Sequence, residues 1–403
     1  MTYKENSTAD TAGSKENTFG MNKIITRDDP ESSLSVKFVS SDEGTTPSPE
    51  SCLRVAPLEI NLGTSLTPLV DPSKGGNLLD RIHRLRNVIA SEIEFVFPMV
   101  RVCDTLPIDV TCYRIKIAGE TVATWLIHPD RYMAIDSVNT TGKIEGIEAI
   151  EPAFGTPALW IDESVKEQAK CYGYTVVEPS AVIATHLLET IRKHADEILT
   201  VDMTQYLFDN LRKTSPVVVD EVLRYLTIGQ IHQVLQYLLR EQIPIRQLET
   251  ILGALLAYGS QTKDLITLTT YVRMKLARTI CARYRNENNV LNVVMLDPAL
   301  EDQIRAGFEH KVNGLFLKMS LQAQENLCRM ILAEVDKLTS KNYPPIVLVN
   351  PQIRMALRLI THATIPGLVV LSLAEITQDT QVVCFGMVGI ETKENDKTTE
   401  PQS

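Results

Sequence analysis

Long apolar runs are missing from this chain. The most apolar stretch, PGLVVLSLAEI, is strand-sized and far short of the roughly 18 residues that a bilayer-spanning helix needs. The opening residues, MTYKENSTADTAG, have no apolar core of the kind a secretory leader carries. Basic charge is scarce as well. Lys and Arg number 40 against 50 Asp and Glu, a formal charge of −10, which argues against a nucleic-acid partner. Cysteines are few and never form a CxxC pair. Cys52, Cys103, Cys112, Cys171, Cys281, Cys328 and Cys384 are scattered, which reads as reduced thiols of a cytosolic protein.

The usual signatures of chemistry are absent too. No GxxxxGK is present to cradle phosphates, and TTGK at 140–143 lacks the leading glycine. No GxGxxG follows a strand, and GTSLT at 63–67 fails the GxSxG pattern at its last position. HLLETIRKH carries His186, Glu189 and His194. Its histidines are eight apart, about 12 Å along a helix axis. That is too far for one ion without other ligands, so an amphipathic helix is the simpler reading. His83 in DRIHRLR has no implied Ser or Cys partner, and Asp297 in LDPALE reads first as a helix cap. No metal, cofactor or catalytic residue is therefore assigned.

What is present is enough apolar material for several cores. At 403 residues, 44% hydrophobic and 22% charged, the chain is too long for one ordinary domain. Residues 1–56 stand apart, being rich in Ser, Thr, Asp, Glu and Gly in NSTADTAGSKEN and SSDEGTTPSPES. They read as a flexible linker, spanning on the order of 40 Å as a coil.

Beyond the linker the patterns are α/β. GGNLLDRIHRLRNVIASEI places Leu78, Ile82, Leu85 and Ile89 at helical spacing. FVFPMVRV is strand material with Pro98 hinting at an edge, and YRIKIAGETVATWLI reads as a hairpin turning at Ala118-Gly119. YGYTVVEP gives another strand, and a long helix is predicted from Ala181 to about Leu199.

The next stretch is all helical. Ser215 is a plausible N-cap before Pro216, TIGQ at 227–230 has the form of a capping box, and Pro244 opens a helix stopped by Gly259. The α/β pattern then returns, with LNVVML, PPIVLVN, GLVVLSL and QVVCFGMV as strands. Helices between them start at Asp297-Pro298, Ser320 and Asn350-Pro351. The whole is an α+β multidomain chain.

One segment stands out. EPAFGTPALWI, residues 151–161, packs two prolines, a glycine, Phe154 and Trp160 into a kinked stretch. Pro152, Gly155 and Pro157 leave it little conformational freedom to lose on binding. Trp160 and Ile161 read as strand residues headed inward, while Phe154 sits in the bend. A packed turn and a docking surface both remain open. An active site is disfavoured, because Glu151 has no paired carboxylate or metal set beside it.

EPAFGTPALWI, GYTVVEPSAVIATHL and VLQYLLREQIPIRQLETILGAL together resemble the cytoplasmic part of the type III secretion export-gate protein, the FlhA family. PLEINLGTSLTPLVDPSKGGNLLDRIHRLR is similar to the family's entry segment, and PPIVLVNPQIRMALRLI with PGLVVLSLAEI to its closing domain. The resemblance runs from about Pro57 to Gly389 in the right order.

It implies four subdomains, the second inserted in the first: 57–129 with 179–198, the insert 130–178, a helical 199–279, and an α/β 280–390 before a polar tail 391–403. It also implies a nonameric ring at the cytoplasmic face of the inner membrane. That ring would receive export chaperones with bound substrates, meet other export-apparatus proteins and pass substrates to the channel. The family's chaperone-docking dimple maps onto Glu151 at the rim, Phe154 as aromatic anchor and Thr185 in VIATHL.

Two departures accompany the resemblance. The family's transmembrane half is missing, which implies an excised cytoplasmic portion or a homologue without the gate. The linker also lacks the tryptophan that relatives often carry, offering only Leu53 and Val55. The wording of EPAFG and TVVEPSAVIATHL leans toward the flagellar branch, with a virulence injectisome as the alternative. A hydrolase is the competing class, and the missing nucleophile, metal and phosphate motifs weigh against it.

Overall fold

The computed structural model describes residues 37–39, 55–92, 100–104, 109–137, 140–311 and 314–389. Most of the expected linker, the FVFPM of FVFPMVRV, Cys52 and the polar tail lie outside them.

The first sheet has the order β1-β3-β2-β4-β5, with β1 Lys37–Val39, β2 Leu58–Leu62, β3 Arg101–Asp104, β4 Cys112–Ile117 and β5 Glu120–Leu126. The strand at Lys37–Val39 lies within the expected linker and pairs in parallel with β3, a pairing that the segment's polar composition did not announce. Strand β2 buries Leu58, Ile60 and Leu62 completely, and each faces an apolar residue of β4 across the ladder, Ile117, Ile115 and Tyr113. The β4–β5 hairpin turns where expected. Ala118 and Gly119 both have positive φ, 48° and 87°, the backbone a two-residue turn needs to match the twist of its strands. Helix α1, Leu78–Glu92, buries Leu78, Ile82 and Ile89 on one stripe.

The second sheet, β7-β8-β6-β9, is antiparallel, with β6 Tyr132–Ile135, β7 Ile147–Ile150, β8 Pro157–Ile161 and β9 Thr175–Val177. Strand alternation gives it two faces. Met133 and Trp160 join the main core, while their neighbours Ala134 and Ile161 pack with Ala169 of α2, Lys166–Cys171, in a small core of its own. The chain then returns to the first sheet through α3, Pro179–Lys193. The single long helix expected there breaks at His194, and α4, Ala195–Ile198, continues separately.

Helices α5 Val201–Arg212, α6 Pro216–Tyr225, α7 Ile228–Arg240, α8 Leu248–Gly259, α9 Leu265–Lys275 and α10 Ala277–Tyr284 form the helical segment. The capping box at α7 is complete. Thr227 Oγ1 accepts from Gln230 N at 3.2 Å, and Gln230 Oε1 accepts from Thr227 N at 3.0 Å. Two expectations differ. Ser215 makes no side-chain cap bond, and α8 begins at Leu248 rather than Pro244.

The last sheet is all parallel, β14-β13-β10-β15, with β10 Val290–Leu296, β13 Ile346–Val349, β14 Val369–Ser372 and β15 Gln381–Val388. Around it stand α11 Pro298–Ala306, α12 Leu321–Thr339 and α13 Arg354–Thr361, with a small hairpin, β11 Phe308–Lys311 and β12 Gly314–Leu317, that the sequence did not announce. Asp297 caps α11 and Ser320 caps α12 as expected, whereas α13 starts three residues after Pro351. Both faces of the central strands are buried, which explains their apolar runs, unbroken in β13 and interrupted in β10 only by the buried Asn292. On β10 and β13, Leu291, Val293, Ile346 and Leu348 join the main core. Val294, Leu296, Val347 and Val349 fill a second core with α12 and α13.

No helix among the described residues is long and apolar enough to cross a membrane. The six described cysteines are all free thiols.

Candidate functional site

The turn between β7 and β8 is held by its own backbone and by one carboxylate. Glu151 N donates to Thr156 O at 2.8 Å, and Gly155 N donates to Glu151 O at 2.9 Å. The Glu151 side chain folds back into the turn. Oε1 accepts from Ala153 N at 2.9 Å and Oε2 from Phe154 N at 2.8 Å. Glu151 is 3% exposed, so its charge is spent on two N–H donors that would otherwise be unsatisfied. Gly155 has φ +72° with open space where a Cβ would stand; backbone freedom, not room, is what requires glycine there. On top of this braced turn Phe154 is 67% exposed, while Trp160 at the far end of β8 is buried.

Thr185 is half-buried on α3. The start of α3 is anchored to the head of α1: Arg81 Nη2 donates to Glu178 Oε2 at 2.5 Å, and Ser180 Oγ donates to Asn77 Oδ1 at 2.6 Å. Hydrogen bonding from Asn77 and the Arg81 charge lower the Glu178 pKa. Next to Thr185, His186 Nδ1 and the Tyr113 hydroxyl of β4 lie 2.6 Å apart, both buried. Burial, with a smaller push from Lys193, lowers the His186 pKa to about 4, so the ring is neutral at pH 7. Burial also raises the Tyr113 pKa well above the phenol range, and the Glu151 carboxylate adds to that rise. Glu151 and Phe154 thus share one turn, while Thr185 lies apart from it in the chain, on α3 beside His186.

A groove of about 880 Å³ opens beside this turn, between edge strand β5 and edge strand β7. Leu126, Ile147 and Ile150 line it with 55%, 44% and 54% of their surface exposed. Phe154 does not line the groove but follows the strand that does. Sequence reasoning passed over these three. The available signal was Ile147 and Ile150 in the short strand that leads directly into the kinked segment.

Among the described residues no three His, Cys, Asp or Glu gather where they could hold a metal ion. His186 and His194 stay apart: His186 bonds Tyr113, and His194 Nδ1 lies 2.9 Å from Glu197 Oε1. Asp297 is a helix cap, its Oδ1 accepting from Ala299 N at 2.8 Å.

The FHIPEP family model matches residues 11–381. The chain belongs to the FHIPEP family. It is 38% identical over 347 residues to the flagellar biosynthesis protein FlhA of Bacillus subtilis, covering 85% of this chain and 51% of that protein. It is 36% identical over 350 residues to FlhA of Treponema pallidum, covering 86% and 49%. This FHIPEP chain therefore spans about half the length of the curated relatives it matches. Its fold is that of the multi-subdomain cytoplasmic domains of secretion-gate proteins. The Chlamydia pneumoniae CdsV structure matches with a TM-score of 0.72 at 23% identity, covering 83% of this chain and 98% of that one. The nonameric SctV-C of enteropathogenic E. coli (EPEC) matches at 0.67 and 21% identity, with the same coverage.

Proposed function

We propose that this FHIPEP chain is the cytoplasmic docking platform of a flagellar type III export gate. It binds export chaperones carrying their substrates and hands those substrates to the channel. The observation that carries the reading is Phe154, a large aromatic side chain left two-thirds in solvent on a turn that its own segment makes rigid. An anchor of this kind contributes little to the core but suits a partner's pocket, and its rigidity spares the ordering cost of binding. Thr185 on α3 completes the site. Glu151 contributes through the shape of the turn, since both its oxygens are already engaged.

Higher identity to flagellar relatives, 38% and 36%, than to CdsV and SctV-C, 23% and 21%, supports the flagellar branch over an injectisome. The solved nonamer of SctV-C supports assembly of this chain into a ring of nine at the inner-membrane face. The solved complex of CdsV with CdsO supports contact with other export-apparatus proteins. We read the units as 57–129 with 179–198, 130–178, 199–279 and 280–390, and assign the platform no enzymatic activity.

Calorimetric titration with a cognate chaperone loaded with its substrate tests the reading. Phe154→Ala weakens binding by about 2 kcal/mol, roughly thirtyfold, with little change in melting temperature. Thr185→Met acts alike by filling the docking dimple that the family resemblance implies beside Thr185. Wild-type affinity in both variants places docking elsewhere, and a melt many degrees lower in Phe154→Ala makes the segment a structural turn.

A further inference from the structure

The junction between the helical segment and the last sheet holds more positive than negative charge. Three guanidinium groups, Arg273, Arg354 and Arg358, meet two carboxylates, Glu241 and Glu375. Glu375 is engaged through both oxygens and Glu241 through Oε2, which two guanidinium groups share. Arg273 engages both oxygens of Glu375, at 2.9 and 2.7 Å, and Glu241 Oε2 at 2.9 Å. Arg354 donates to Glu241 Oε2 at 2.7 Å and stands 3.6 Å from Glu375. Arg358 is left donating to a carbonyl, Leu368 O, at 2.9 Å. A half-buried cation without a counter-ion is costly, and burial lowers the Arg358 pKa despite the pull of Glu241.

A cavity of about 90 Å³ lies against this surplus charge. Its walls come from both sides of the junction: Arg273, the Glu241 carboxylate and, at the end of α10, Tyr284 from the helical segment, Arg358 and residues 367–371 from the other. Strand β14 is the edge of its sheet, so residues 369–371 line the cavity without a further strand beside them. The Tyr284 hydroxyl makes no hydrogen bond with any described residue, and burial keeps it a neutral donor. Arg240 also lines the space, but its Nε is engaged by Asp196 Oδ2 at 2.9 Å. At about 30 Å³ per water, the volume suits two or three waters or one small anion. Water can satisfy the free N–H and O–H donors, but it cannot neutralise the charge.

We propose that this cavity binds one small inorganic anion, from chloride to phosphate in size, through the Arg358 guanidinium and the Tyr284 hydroxyl. The anion balances the surplus cation and ties the helical segment to the last sheet. Occupancy therefore stabilises the junction by mass action. The proposal is independent of the docking site at Phe154.

The test is thermal unfolding of the whole chain, titrated with chloride or phosphate at constant ionic strength held by gluconate, which is too large for the cavity. In the wild type the melting temperature rises and saturates, and the anion that saturates at lower concentration is the preferred one. Tyr284→Phe keeps the charge and weakens the apparent affinity three- to tenfold, as expected for one hydrogen bond. Arg358→Gln abolishes saturation and leaves only the shallow, unsaturated response to excluded salts. Because Arg358→Gln could disturb folding, anomalous scattering from bromide in wild-type crystals gives an independent location. A bromide peak within reach of Arg358 and Tyr284 supports the site. Absence of that peak, or saturation that survives in Arg358→Gln, overturns it.

Discussion

Arg273 and Glu375, 102 positions apart in the chain, close a bidentate pair with Nε to Oε1 at 2.9 Å and Nη2 to Oε2 at 2.7 Å. Their side chains are 2% and 0% exposed. Removing one partner strands the other's charge in the interior, which costs far more than the pair contributes. Arg273→Met is expected to lower unfolding free energy by about 3–5 kcal/mol. Urea titration reads this as a shift of midpoint at unchanged slope. A shift under 1 kcal/mol would mean that Glu375 relaxes onto Arg354 at no cost.

The capping box of α7 offers a smaller and cleaner test. Thr227→Ala removes the acceptor for Gln230 N without touching the core. The expected loss is about 1 kcal/mol. Val could replace Thr227 as a control of similar shape, and it should cost as much, since the hydroxyl oxygen carries the effect.

His186 makes stability depend on pH. Its folded pKa, about 4, lies below the ordinary 6.5, so below pH 6.5 the unfolded chain takes a proton that the folded chain refuses. The contribution is complete above pH 6.5 and fades as pH falls toward 4, by about 3 kcal/mol at most. Melting temperatures of wild type and His186→Gln across that window should converge toward the acid end. Parallel curves would show that other groups carry the acid sensitivity.

Glu151 and Phe154 should separate two roles on one turn. Glu151→Ala frees one buried N–H donor, Ala153, and one part-buried donor, Phe154, and is expected to cost about 1–3 kcal/mol of stability as well as chaperone affinity. Phe154→Ala should cost affinity alone. Hydrogen exchange at Ala153 and Phe154 reports the brace directly: exchange should speed up strongly in Glu151→Ala and stay slow when Phe154 is truncated. Equal protection in all three proteins would remove Glu151 as the brace.

Reading the chain without a structure went furthest where the physics is local. The stripe of Leu78, Ile82 and Ile89, the Thr227–Gln230 box and the Ala118-Gly119 turn need only neighbours a few residues away, and all three appear in place. Helix starts proved less legible. Pro244 and Asn350-Pro351 mark places where a helix can begin, but the helices begin at Leu248 and Arg354. A proline removes a donor and sets φ; it does not decide when packing first rewards the helical turn.

Local rules also left Phe154 undecided between packing and docking, and its exposure is a property of the folded surface alone. By itself the sequence determined the periodicity of the elements, most caps and the stiffness of EPAFG, because each depends on bonded neighbours and side-chain spacing. The tertiary structure decided which face of each central strand met which core, and where charge was sealed away. Glu241, Arg273, Arg354 and Glu375 look like ordinary surface residues in the sequence, and only the closure of the helical segment onto the last sheet brings them out of water together. Burial is a long-range outcome, and with it come the buried brace at Glu151, the neutral His186 and the unbalanced Arg358.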